Sequence, residues 1–293
     1  MFRNILDQLD AEYRFAIAEG SKVGPLKQSI VLDTYGNDTP SRYANTMSAV
    51  LSTGEFGSKT IVVDEITRKM TSRTLLFNSL GDPIANMCSA HLTRIRCGFM
   101  AALCCRYYYQ QHQLPPKVAI LGFGRIGKTV LDVLAKVLDD TATDWMFKES
   151  REAPLVYLDE KRTPADLSDA DLVITCTSEW DKAARISSNT FKHKSLVVSF
   201  DLGYFLDRSF RQNEQNNFSD CPSHVRHNFH EEFPWDWEDS DGELAAPTFA
   251  PLFELTTHDA GIAVAYIYGM AFSDLIMSLH SHDLIPYFAS HDL

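Results

Sequence analysis

Apolar positions in the first twenty residues, MFRNILDQLDAEYRFAIAEG, recur at helical spacing. Phe2, Leu6, Leu9, Tyr13 and Ile17 fall on one face, and Gly20 stands where such a helix would end. The texture then shortens. QSIVLDTYG, TMSAVL, SKTIVVDEITR and SRTLLFNSLGDPIANM are strand-length apolar pieces broken by Gly, Asn, Asp and Pro, which predicts a largely antiparallel sheet. A second helix is predicted from Leu92 to about Gln110. From Lys117 the order is strand, glycine turn, helix, in KVAILGFGRIGKTVLDVLAKVL. DWMFK, PLVYL, ADLVITCT and SLVVSFDLG follow as nearly continuous apolar runs, the pattern of parallel strands covered on both faces. Residues 206–248 are polar and aromatic and give no assignment, and ELTTHDAGIAVAYIYGMAFSDLIMSL reads as a loop plus a long helix. The prediction is an α/β protein: a Rossmann-type doubly wound parallel sheet over 113–254, plus an N-terminal α+β domain over 1–112 that the C-terminal helix of 255–293 joins.

Composition narrows the classes. With 293 residues, 45% hydrophobic and 23% charged, the chain can fill one large core or two modest ones. A net charge of −12 and no polybasic run make nucleic acid and anionic membrane poor partners. The opening residues lack the apolar core of a signal peptide, and the late apolar run AVAYIYGMAFSDLIM contains Asp274 and is too short to span a bilayer. A soluble, cytoplasmic protein is expected. Six cysteines without a C-x-x-C read as buried, reduced thiols. His224, His227 and His230, near Cys221, lack the fixed turn or helix that a zinc site needs, so no metal is expected. His258 and Asp259 are adjacent in a predicted turn, where side chains rarely face each other, and Tyr107, Tyr108 and Tyr109 are expected to pack at a domain or subunit border. Neither G-x-S-x-G nor H-E-x-x-H occurs.

The turn GFGRIG, Gly122 through Phe123, Gly124, Arg125 and Ile126 to Gly127, is a G-x-G-x-x-G placed after a buried-type strand and opening an amphipathic helix. In that context Gly122 serves the tight turn, Gly124 lets a pyrophosphate approach the backbone, and Gly127 lets helix and strand pack closely. The free N–H groups of the helix start then face the phosphates. The cofactor is NAD or NADP. If the second strand ends near FKESRE, Glu149 can accept from a ribose 2′-OH, whereas Ser150 with Lys148 and Arg151 can hold a 2′-phosphate, and the residues leave both open.

HLTRIRC carries two arginines two residues apart. Helix positions i and i+2 point about 200° apart, so Arg94 and Arg96 cannot serve one site. The order MSAVL, GSKTIVV, LTRIRCGFMAAL, VAILGFGRIG, then ADLVITCTS, SFDLG and ELTTHDAGIAV, resembles the ornithine cyclodeaminase, alanine dehydrogenase and mu-crystallin family. The resemblance covers about residues 5–205 and 250–280. It implies that Arg96 binds an amino-acid carboxylate, for which a planar guanidinium offers two charge-assisted hydrogen bonds, and that Arg94 is solvated. It implies that Lys59 is the active-site lysine, orienting the substrate and polarising a developing imine, with Met47 from the methionine-containing turn also at the substrate. Asp201, at the end of a parallel strand, would hold the amine or a water as acid–base, and Thr177 would lie near the nicotinamide.

The resemblance further implies hydride transfer between a substrate α-carbon and nicotinamide, on a small α-amino or α-imino acid, in a homodimer built through the N-terminal substrate-binding and dimerisation domain. Two other functions belong to the same family: a lyase that cyclises a diamino acid and releases ammonia with a retained NAD, and a non-catalytic NADPH-binding protein of the mu-crystallin type. The chain departs from the family pattern in three places. Lys27 or Gln28 stands where the family has an early arginine, Cys97 replaces a threonine, and 206–248 has no counterpart.

Overall fold

The structure is a computed structural model, and it describes residues 1–20, 28–35, 39–112 (apart from 65 and 68), 116–140 (apart from 123), 156–158, 167–176 (apart from 169), 186–191, 194–211 (apart from 192, 193, 202, 204 and 205), 216–223, 249–257 and 261–288. Helix α1 spans Phe2–Glu19 and is followed by five strands: β1 Gln28–Tyr35, β2 Thr39–Val50, β3 Phe56–Asp64, β4 Lys69–Phe77 and β5 Pro83–Cys88. Helix α2 is Ala90–His112. Then come β6 Val118–Leu121, α3 Arg125–Asp140, β7 Val156–Leu158, β8 Leu172–Thr175, β9 Leu196–Ser199, β10 Asn217–Ser219, β11 Ala250–Pro251 and β12 Ala263–Tyr266. Helices α4, Ala271–Leu279, and α5, Ser281–Phe288, complete the order.

These elements form two compact units. One is residues 97–268 with Met1–Arg3, and the other is Asn4–Arg96 with Gly269–Leu293. The first boundary therefore falls inside α2, and the second between β12 and α4.

In the second unit, β1 to β5 lie in sequence order and pair antiparallel throughout, as the short broken apolar runs predict. The alternation of a strand puts successive side chains on opposite faces. Register aligns Met47, Lys59, Thr74 and Met87 in one row, and Ala49, Gly57, Leu76 and Ala85 in the next row of that face. Met47, Ala49, Lys59, Thr74 and Leu76 are all buried there. Helix α4 covers the face: a Cβ added at Gly57 would come within 2.8 Å of the Leu275 side chain and 2.2 Å of the Leu75 carbonyl, so only glycine admits the helix this close. Helix α1 contributes Leu6, Leu9 and Tyr13, all buried, with Tyr13 stacked on Phe272 at 6.2 Å. Its Glu12 accepts from the backbone N–H and the hydroxyl of Ser52. The opposite face of the sheet exposes Val50, Phe56, Leu75 and Ile84.

The other unit holds a seven-stranded sheet in the order β11-β10-β12-β9-β8-β6-β7, parallel at each pairing. VAIL, LVIT, LVVS and AVAY are buried at every position, which is why they read as unbroken apolar runs instead of alternating ones. The part of α2 from Cys97 to Tyr109 is buried all round, including the three tyrosines. Gly98 brings it against α3, since a Cβ there would lie 2.4 Å from that of Val133.

One expectation is corrected. AVAYIYG does not open a long helix: Ala263–Tyr266 is the strand β12, seated between β9 and β10. Gly261 and Gly269, with φ of 76° and 89°, bracket it, and the helix starts only at Ala271. The parallel sheet thus extends beyond residue 254. Among the described residues, no helix is long and apolar enough to cross a membrane.

Candidate functional site

Lys59 sits in the middle of β3, on the face that α4 covers, and its side chain is 0% exposed. A buried ammonium needs a counter-charge. Asp274, in the first turn of α4 and 2% exposed, supplies it, with Lys59 Nζ 2.6 Å from Asp274 Oδ1. Arg96 joins the same oxygen from α2, its Nε 3.8 Å away and its side chain 9% exposed. The guanidinium rests on a glycine: a Cβ at Gly269 would lie 2.6 Å and 2.8 Å from its two terminal nitrogens. Two of the residues singled out from sequence are thus brought together, with Met47 beside Lys59 in cross-strand register. Two cations and one carboxylate leave the cluster one positive charge in excess, and a buried excess charge favours an anionic ligand.

Arg94 behaves differently from Arg96, as helix geometry requires, but it is not fully solvated. It is half-buried, with its Nη2 3.2 Å from His91 Nδ1.

In the other unit the glycine turn has the geometry its motif calls for. Gly122 ends β6 with a φ of 84°, a left-handed conformation that favours glycine. A Cβ at Gly127 would meet the Gly122 carbonyl oxygen at 2.0 Å, so helix and turn close only on a glycine. A Cβ at Gly124 would meet nothing within 4 Å. The backbone there faces open space, and Arg125 beside it is exposed while Ile126 is half-buried. Lys128 N–H donates to the Gly124 carbonyl at 3.0 Å and Thr129 Oγ1 to that of Arg125 at 2.9 Å, setting the first turn of α3. The donor-rich helix start and the open glycine together fit a dinucleotide pyrophosphate.

Asp201 follows β9 at the carboxyl end of the parallel sheet. Three donors converge on its Oδ1: Thr175 Oγ1 at 2.8 Å, Ser199 Oγ at 2.6 Å and the Gly203 N–H at 3.3 Å. The carboxylate is therefore held in one orientation at a strand end, where open α/β sheets bind ligands. Cys176, next after β8, lies close enough to Asp201 and Cys97 to feel both. Burial chiefly, then those two groups, push its thiol well above the ordinary range. Burial likewise raises Cys104 well above that range and Cys105 to about 12, so none of these three is a ready nucleophile.

Asp274, Thr175 and Ser199 were not singled out from the sequence. Asp274 left a trace, as a lone acid among Phe272, Leu275 and Ile276. The strand that pairs with β6 on its outer side is Val156–Leu158, later than the FKESRE segment. Lys27, Phe123, Glu149, Ser150 and Thr177 lie outside the described residues, as do His224, His227, His230, His258 and Asp259. Among the described residues no group of three His, Cys, Asp or Glu could hold a metal.

Solved structures with this architecture decide the fold. Δ1-Pyrroline-2-carboxylate reductase from Thermococcus litoralis, in complex with NADH and L-proline, superimposes with a TM-score of 0.67 at 13% identity, over 99% of this chain and 94% of that one. A probable ornithine cyclodeaminase from Bordetella pertussis Tohama I gives 0.62 at 16% identity, over 99% and 92%. A lysine cyclodeaminase, studied for its recognition of L-lysine, L-ornithine and L-2,4-diaminobutyric acid, gives 0.63 at 14% identity, over 100% and 88%. The chain has the ornithine cyclodeaminase type of fold. No protein-family model matches the sequence, and no curated protein does. With an ornithine cyclodeaminase type of fold, the antiparallel unit with Lys59 and Arg96 and the parallel unit with GFGRIG account for nearly the whole chain.

Proposed function

We propose that this protein is an NAD(P)-dependent oxidoreductase acting on an α-amino or α-imino acid. The observation that carries the reading is the buried Lys59–Arg96 pair, held by a single carboxylate, in a chain that also carries the glycine turn. Gly122, Phe123, Gly124, Arg125, Ile126 and Gly127 would hold the cofactor, whose nicotinamide supplies or accepts the hydride. Glu149 or Ser150 would read the ribose, and Thr177 would lie near the nicotinamide. Arg96 and Lys59 bind the substrate carboxylate, with Met47 and Lys27 at the rest of the molecule. Asp201, its Oδ1 fixed by three donors, handles the proton of the amine or a water. The solved relatives support the reading: one is a reductase complexed with NADH and L-proline, the others cyclodeaminases.

The reading includes a cytoplasmic location, which the six free cysteines favour, and a homodimer. The uncovered face of the antiparallel sheet supports the dimer. It exposes Val50, Phe56, Leu75 and Ile84 around an open groove of about 400 Å³ lined by Ser58, Thr60, Arg73 and Cys88. Substituting Leu75→Lys should then yield a monomer in sedimentation.

The test is absorbance at the reduced-nicotinamide band, with NADH or NADPH, cyclic imino acids, and 2-oxo acids with and without amines. Cofactor oxidation that Lys59→Ala abolishes, with cofactor binding kept, is the expected result. Equal turnover in the variant sinks the role of Lys59. Ammonia release from diamino acids without net cofactor oxidation would mark the lyase, and cofactor binding with neither activity the non-catalytic binding protein.

A further inference from the structure

The cluster of Lys59, Arg96 and Asp274 is lopsided. Both cations converge on Oδ1 of Asp274, at 2.6 Å and 3.8 Å. Oδ2 of the same carboxylate is buried and accepts no hydrogen bond. Buried carboxylate oxygens normally have donors, because an unpartnered one keeps the full cost of leaving water. The excess positive charge asks for one anionic group, and Oδ2 asks for one N–H donor. An α-amino or α-imino acid carries both, a carboxylate and a cationic nitrogen on the same carbon. A 2-oxo acid carries only the first and would set a carbonyl oxygen against Oδ2.

We propose that Asp274 Oδ2 receives the cationic nitrogen of the ligand, so that Lys59, Arg96 and Asp274 together recognise the zwitterion rather than a carboxylate alone. The assignment rests on reading Lys59 and Arg96 as the carboxylate-binding pair. It makes Asp274 a binding and specificity residue and leaves proton transfer with Asp201. A site built to hydrogen-bond a ligand N–H discriminates strongly against the analogue that lacks it, because its own polar atom is then left unpaired.

The experiment compares ligands matched in shape: L-proline with cyclopentanecarboxylate, and L-alanine with propionate. Each is titrated by calorimetry into the full chain saturated with NADH or NADPH. Wild type should bind the nitrogen-bearing member of a pair at least about tenfold tighter. Asp274→Asn should bring the two members within about twofold of each other, while Arg96→Gln weakens both alike. Should Asp274→Asn not fold, Asp274→Glu keeps the charge, displaces the oxygen by one methylene, and should also compress the ratio. A general structural defect would weaken both members and leave the ratio unchanged. A wild-type preference that survives both Asp274 variants overturns the assignment but leaves the carboxylate pair standing; Oδ2 then holds only water. Binding of both members to wild type that Arg96→Gln does not weaken, or no binding of either pair, overturns the carboxylate reading and this assignment with it.

Discussion

Lys59 and Asp274 form a pair whose energetics can be taken apart by a double-mutant cycle. At 2.6 Å, and with an effective dielectric of about 20, their gross attraction is on the order of 6 kcal/mol. Desolvating both groups offsets much of that, so the pair itself adds little net stability. Removing one partner is another matter, because the survivor stays buried: Lys59 is 0% exposed and Asp274 2%. Lys59→Met and Asp274→Asn should each cost about 3–5 kcal/mol. At roughly 2–4 °C per kcal/mol for a chain portion of this size, each should melt roughly 6–20 °C lower. The double substitution leaves no buried ion without its partner at these two positions, and its Asn side chain can still accept from Arg96. It should therefore recover at least half of the summed loss. Urea titration of all four proteins, followed by circular dichroism, gives the coupling energy. Purely additive losses, or single variants that lose less than about 1 kcal/mol, would refute the view that the two charges are held only by each other's field.

Three further outcomes are expected. Gly124→Ala should leave the melting temperature of the free protein unchanged, since its Cβ meets nothing within 4 Å, yet reduce the shift that NADH or NADPH produces; Gly127→Ala, whose Cβ would lie 2.0 Å from a carbonyl oxygen, should lower stability without any cofactor present, and scanning fluorimetry separates the two. Gly98→Leu should cost about 1–3 kcal/mol or more in thermal melts by forcing α2 off Val133, while Gly20→Ala, with nothing near it but a φ of 60°, should cost only about 1 kcal/mol. His280, whose Nε2 lies 2.7 Å from Gln8 Oε1, has its pKa lowered, by burial first and against the pull of Asp283. The folded state then binds its proton less readily than the unfolded chain, so stability falls as pH drops below about 6.5, and His280→Gln should flatten that part of the stability curve.

Much of this was legible in the sequence because it is local. The face formed by Phe2, Leu6, Leu9 and Tyr13, the alternation that puts Lys59 and Met47 on one side of a sheet, and the spacing within GFGRIG each depend on neighbours within a turn or a strand. Choosing Arg96 over Arg94 needed only the angle per helical residue and one resemblance. AVAY was misread because its defining partners are remote: Ala263–Tyr266 pairs with Leu196–Ser199, and its apolar residues suit a buried strand and a buried helix alike. Asp274 escaped notice for the same reason. Its meaning comes from a lysine 215 residues earlier, and no local pattern announces that pairing.

That separation also orders events during biosynthesis. The unit that contains Lys59 is assembled from residues 4–96 and 269–293, so translation delivers its two parts with the entire parallel sheet between them. A nascent chain up to Tyr268 has made the lysine and not the aspartate, and has no α4 to lay over Gly57. The antiparallel sheet must wait with one face wet and a cation on it, and a ribosome that stalls within that interval releases a chain with an open apolar surface, suited to capture by chaperones or to aggregation.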